Sequence, residues 1–124
     1  MIGIGTDILE IARLEKALLR SGGKFLEHIL TPDERKIAEN KGRAVTDFYA
    51  GRWTAKEAVS KMLGTGIGKD CSFQDINILN NEKGAPYVIL SGAAKKTAET
   101  LGITKIHLSI SHEQHYCIAT VIGE

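Results

Sequence analysis

TDFYAGRWTAKEAVSKML, residues 46–63, is the longest uninterrupted helical pattern in the chain. Phe48, Ala55, Ala58, Val59 and Met62 recur at helical spacing and define a face for a core. Trp53, Glu57 and Lys61 form a second line at i, i+4 and i+8, flanked by Arg52 and Lys56. A helix that turns one carboxylate and three cations the same way suits an anion and a metal. The same spacing also suits a solvated face, where an i, i+4 Glu–Lys pair adds about 0.2–0.5 kcal/mol.

Upstream, Lys41-Gly42-Arg43 reads as a basic linker. Before it, Thr31-Pro32-Asp33-Glu34 is a helix start, with Thr as cap, Pro at the first position and Glu three residues after the cap. That helix is expected to reach about Asn40. Residues 25–30, FLEHIL, read as a short apolar turn. A helix is expected from about Leu9 to Arg20, with Ile11, Leu14 and Leu18 on its apolar stripe and Ser21-Gly22-Gly23 as its stop. Arg13, Lys16 and Arg20 make a second stripe, nearly unbroken by acids, with Lys24 just beyond. Such a stripe is either a solvated face or a dock for an acidic partner helix. Residues 2–8 read as a strand with Gly3, Gly5 and Asp7 on one face. Two glycines leave that face bare, so something can approach the backbone closely. Asp7 at its end is either an N-cap for the next helix or a functional carboxylate.

Downstream, GTGIGKD at 64–70 is a glycine loop that lacks the ending of a P-loop and follows a helix instead of a strand. Phe73–Leu79 alternates as a strand, 80–84 is a hairpin turn, and Pro86 opens a returning strand to Leu90. Ser91–Leu101 reads as a helix. Ile106, Leu108 and Ile110 alternate along a further strand, and Tyr116–Ile122 is the last. His112 and His115, near the turn between those two, are surface residues by default. The expected fold is α+β, a mostly antiparallel sheet packed with one long and several shorter helices.

A chain of 124 residues is expected to be one domain, 1–124. Its apolar runs are too short to span a membrane. Met1 leads into IGIGTDI with no basic leader, and Cys71 and Cys117 have no metal-ligand spacing. A cytoplasmic, reducing setting is expected. The net charge is +1, but all five arginines lie in the first half, so small anions or an acidic protein surface are the expected partners. The absence of a basic excess, and of aromatics interleaved with the basic stripe, argues against nucleic acid.

Three separated motifs are present: GIGTDI with Arg13 downstream (3–8 and 13), RWTAKEAVSK (52–61) and SISH (109–112). In this order, in a chain of this length, they resemble the 4'-phosphopantetheinyl transferase superfamily, and within it the small single-domain branch of holo-acyl-carrier-protein synthases. The resemblance runs from Ile2 to the last strand. Trp53 is a departure, since the family often has Phe there.

The resemblance implies transfer of the phosphopantetheine arm of coenzyme A to a serine of an apo acyl carrier protein. It implies magnesium, adenosine 3',5'-bisphosphate as by-product, a role in fatty acid biosynthesis, and a homotrimer with active sites between neighbours. It makes Asp7 and Glu57 the metal ligands. Lys61 falls to a diphosphate oxygen, Arg52 and His112 to the 3'-phosphate. Gly64–Gly68 and Gly84-Ala85-Pro86 line the nucleotide pocket, and Arg13, Arg20 and Lys24 dock the carrier. Glu57 is the first candidate for general base, with Asp33, Glu34 and a metal-held water as alternatives. The contrasting reading is a non-catalytic coenzyme A- or nucleotide-binding module whose acids are structural.

Overall fold

A computed structural model describes all 124 residues. Strand β1, Gly3–Glu10, leads into helices α1, Ile11–Ser21, α2, Gly23–Ile29, and α3, Pro32–Ala38. A 3-10 turn at Gly42–Ala44 feeds the long helix α4, Val45–Leu63. A second 3-10 turn, Phe73–Asp75, precedes the hairpin β2, Ile76–Asn80, and β3, Pro86–Leu90. Helix α5, Gly92–Leu101, and strands β4, Ile106–His112, and β5, Tyr116–Gly123, complete the chain. No helix is long and apolar enough to cross a membrane.

The fold is α+β, and every strand pairing is antiparallel. β5 is the middle of a three-stranded sheet, with β1 and β4 on its flanks, and β2 pairs with β3 separately. α4 lies across the inner face of the larger sheet. Ala55, Ala58, Val59 and Met62 enter one core with Ile76, Ile78, Ala119 and Val121. Burying each aliphatic side chain of this size contributes about 1.5–3 kcal/mol. The bare face of β1 is what lets the helix approach. A Cβ at Gly5 would lie 2.0 Å from the Ala58 carbonyl oxygen, and one at Gly3 2.5 Å from that of Met62. The close visitor to that face is α4 itself.

Several expected boundaries move. β1 continues through Leu9 and Glu10, so α1 begins at Ile11 and Asp7 is no helix cap. Asp7 stands within the strand, opposite Ala119. Of the stretch read as a turn at 25–30, all but Leu30 belongs to α2, which Gly22 (φ 49°) separates from α1. Residues 73–75 form a 3-10 turn instead of the start of a strand, and α3 stops at Ala38. The start of α3 is as expected. Thr31 Oγ1 accepts from Glu34 N at 3.2 Å, and Glu34 Oε1 accepts from Thr31 N at 2.8 Å. α4 closes on Gly64 at φ 82°, a left-handed cap.

Candidate active site

Asp7 reaches the site because strand alternation turns it to the α4 side of β1. Glu57 reaches it from α4. Both line a cavity of about 230 Å³ with Leu9, Arg13, Trp53 and Thr54. Lys61, one turn beyond Glu57, donates through Nζ to Asp7 Oδ1 at 2.8 Å and to the Thr6 carbonyl at 3.1 Å. Burial pushes the Glu57 carboxyl above its ordinary range, and the Asp7 charge adds to the shift; Lys61 and Arg13 oppose it.

The donor set fits magnesium. Hard oxygens from one or two carboxylates are its usual protein ligands, completed by phosphate oxygens and water. No cluster of three or more His, Cys, Asp or Glu side chains exists that could enclose a metal by protein alone. Asp7 and Glu57 are the two carboxylates that line this cavity.

A second cavity, of about 290 Å³, lies on another side of α4 and shares no residue with the first. Arg52 and Glu57 are five residues apart, which turns them about 140° from each other around the helix axis. Arg52, Pro86 and His112 meet here as expected, and Lys41, Asp47 and Asn80 join them. The Arg52 guanidinium stacks 4.5 Å from the Phe48 ring centroid and donates to Asn80 Oδ1 at 2.6 Å. Its Nε is buried without a partner. Burial lowers its pKa, with Glu34 opposing. His112 Nδ1 lies 3.9 Å from Asp47 Oδ2. Asn80 Nδ2 donates to the Gly84 carbonyl at 2.9 Å, which holds the hairpin turn beside this cavity. Gly64 lines neither cavity and is exposed beyond the end of α4.

The basic stripe of α1 borders a third cavity, of about 580 Å³, lined by Arg13, Lys16, Arg20, Phe25 and Trp53 among others. Trp53 packs edge-on against Phe25 with ring centroids 5.0 Å apart, and the Arg13 guanidinium lies 6.0 Å from its ring centroid. Arg13 and Trp53 line this cavity and the Asp7–Glu57 cavity alike. Lys24 is exposed on α2 and lies outside the lining.

Two expectations are overturned. Lys56 does not face outward with Glu57. It is fully buried, 2.6 Å from Glu34 Oε1, and donates to the carbonyls of Ile29 (2.8 Å) and Phe73 (3.0 Å). Arg52 is also 5% exposed, so the cations of α4 diverge. Glu34 is thereby removed as a general base: its carboxylate is fully buried and also accepts from Ile78 N at 2.7 Å. Asp33 lines neither α4 cavity and accepts from Asn77 Nδ2 at 2.9 Å. Lys41, Asp47 and Asn80 were missed. The basic linker at 41–43 was the available signal for Lys41; nothing local marks the other two.

The sequence pattern of the 4'-phosphopantetheinyl transferase superfamily matches residues 3–121. The holo-[acyl-carrier-protein] synthase of Vibrio parahaemolyticus is 50% identical over 125 residues, an alignment covering 100% of this chain and 98% of that protein. The crystal structure of the Neisseria meningitidis holo-[acyl-carrier-protein] synthase superposes with a TM-score of 0.93 at 35% identity, covering 100% of this chain and 98% of that one. The Helicobacter pylori enzyme, solved in complex with coenzyme A, superposes with a TM-score of 0.85 at 40% identity, covering 98% and 99%.

Proposed function

The chain belongs to the 4'-phosphopantetheinyl transferase superfamily, and on that premise we propose that it is a magnesium-dependent holo-acyl-carrier-protein synthase. It moves the 4'-phosphopantetheine arm of coenzyme A to a serine of apo acyl carrier protein and releases adenosine 3',5'-bisphosphate, in support of fatty acid biosynthesis. The observation that carries this reading is the joining of two cavities. The Asp7–Glu57 pair shares Arg13 and Trp53 with the basic groove of α1. A reaction centre and a surface suited to an acidic protein therefore adjoin.

Attack on phosphorus depends on positioning and charge neutralisation more than on covalent chemistry by the protein. Asp7 and Glu57 would hold magnesium, which when bound would supply that neutralisation. Lys61 binds a diphosphate oxygen. Arg52 and His112 hold the 3'-phosphate, where a planar guanidinium suits a terminal phosphate; Lys41 adds charge there. Pro86, with Gly84 in the turn beside it, lines the nucleotide's path. Glu57 takes the serine proton, directly or through a water. Arg13, Arg20 and Lys24 pair with acids of the carrier.

The working unit is a homotrimer with sites between neighbours, each neighbour one domain, 1–124. The carboxylate cavity and the Arg52 cavity lie on different sides of α4, which favours one coenzyme A spanning two chains. An apolar sheet face is available for the contact: Ile4 is 57% exposed and Ile8 62%, with Ile118 beside them on β5. The setting is cytoplasmic, in keeping with two free, buried cysteines.

The test is direct. The protein is mixed with coenzyme A, magnesium and apo acyl carrier protein, and the carrier is weighed by mass spectrometry. Addition of one phosphopantetheine, with adenosine 3',5'-bisphosphate released, is the expected result. Coenzyme A bound with neither product formed would identify a binding module instead.

A further inference from the structure

Asp7 does not meet its cavity as a free carboxylate. Its Oδ1 is already taken by the Lys61 ammonium at 2.8 Å, and Thr6 O holds the same ammonium at 3.1 Å. Arg13 lines the cavity from α1. Two carboxylates thus stand against two cations. A lone divalent ion entering here finds little net field. To take Asp7 Oδ1 it must also move Lys61 aside, and it gains at most two protein carboxylates for the water it sheds.

A diphosphate changes each of these terms. It brings oxygens that complete the ion's shell, and it gives the displaced ammonium a new acceptor. Lys61 is 53% exposed at its side chain and its stem is flexible, so the swing is open to it. We infer that this site takes its divalent cation as a complex with a diphosphate, and that Lys61 is the residue that disfavours the free ion. The inference rests on the transferase reading for the identity of the diphosphate. It assigns Lys61 a second task, exercised before any chemistry.

The experiment is a calorimetric titration of the full-length protein with Mn²⁺, alone and with coenzyme A present, after correction for the ion's binding to free coenzyme A. The wild-type chain is expected to bind Mn²⁺ about tenfold more tightly, or better, when coenzyme A is present. Lys61→Gln is expected to bind Mn²⁺ alone about threefold to tenfold more tightly than wild type, and Lys61→Arg to match wild type, because it keeps the charge. A Lys61→Gln protein that binds Mn²⁺ no more tightly than wild type overturns the inference. So does a wild-type affinity that coenzyme A leaves unchanged. No carrier protein enters these titrations, so failure of the transferase reading is seen apart from them, as a wild-type chain that adds no mass to apo carrier protein.

Discussion

Burial raises the Glu57 carboxyl above its ordinary range, and the Asp7 charge raises it further. In the unfolded chain the group titrates near the usual glutamate value of about 4.3. Folding therefore favours its protonated form. Stability from this group is full below the unfolded value and is lost as pH rises through the raised folded value. At neutral pH the ionised Glu57 therefore works against the fold. Glu57→Gln is expected to raise the thermal midpoint at pH 7.5 by on the order of 2 °C, with the gain shrinking to nothing near pH 4. The same variant is expected to lose transfer by about a hundredfold or more, because an amide neither binds a cation as a carboxylate does nor takes a proton. Melting curves at the two pH values and the mass assay check both halves. That Glu57 and Asp7 share a cavity was legible only once the motifs were taken together, because the spacing to Lys61 alone also suits a solvated face. The burial of Lys56 was not legible. Spacing along α4 gives an angle around the axis but not what the neighbouring elements bring to that angle. For Lys56 they bring Glu34 and two carbonyl oxygens, which turn a seemingly solvated lysine into a buried one.

Elements here are held to α4 by contacts that leave little slack. Gly5 admits the helix backbone, and its missing Cβ would meet the Ala58 carbonyl at 2.0 Å and the Met62 amide nitrogen at 2.6 Å. Both obstacles are main chain, so α4 or β1 must shift bodily. Gly5→Ala is expected to cost about 3 kcal/mol or more, seen as a lower urea midpoint. Because β1 carries Asp7 and α4 carries Glu57, any protein that still folds should also lose transfer by about a hundredfold from misplaced carboxylates. A midpoint within error of wild type would show that the two backbones are not in contact. On the other side of α4, the Glu34–Lys56 pair ties the end of α2, the cap of α3 and strand β2 to the helix. Glu34→Ala leaves a fully buried ammonium without its counter-ion, and is expected to cost about 3–5 kcal/mol, a large share of a domain's total stability. Equilibrium urea unfolding measures it, and a loss under about 1 kcal/mol would mean that water relieves the charge. The strands, the α3 capping box and the glycine face of β1 were readable because period-two alternation and cap chemistry are local. The α1 start was misplaced because Asp7 looks like a cap, while the pairing that extends β1 to Glu10 comes from β5, far along the chain. α2 was passed over because Gly22-Gly23 precedes a stretch too short to show a helical period.

At the scale of the whole molecule, the two halves of the proposed site point away from each other, and that arrangement makes a prediction that an enclosed, single-chain site does not. Take one variant damaged in the carboxylate half, Glu57→Gln, and another damaged in the phosphate half, Lys41→Ala with His112→Ala. Lys41 and His112 are exposed side chains, so the second variant should fold. Each protein alone is expected to transfer poorly, because every intersubunit site it forms contains one damaged half. In mixed oligomers, each chain still contributes one damaged and one intact half, but a site joins halves from different chains. A Glu57-bearing half then meets an intact phosphate half wherever the right neighbours fall together. With equal amounts and random assembly, about a quarter of the sites have both halves intact. Coexpression, or refolding of the mixture, is expected to restore about a quarter of wild-type activity from two weak proteins. Sites built within single chains would give only the average of the two weak activities. The apolar sheet face supplies the companion test. Ile4→Glu places a charge among the exposed Ile8, Ile118 and Tyr116 of that face, which a packed interface between copies would bury. The variant is expected to run as a monomer in sedimentation and to lose transfer together with assembly, because a lone chain keeps its carboxylates but has no partner to hold the far end of the nucleotide. A monomeric Ile4→Glu protein with full activity would separate catalysis from assembly and return both halves of the site to one chain.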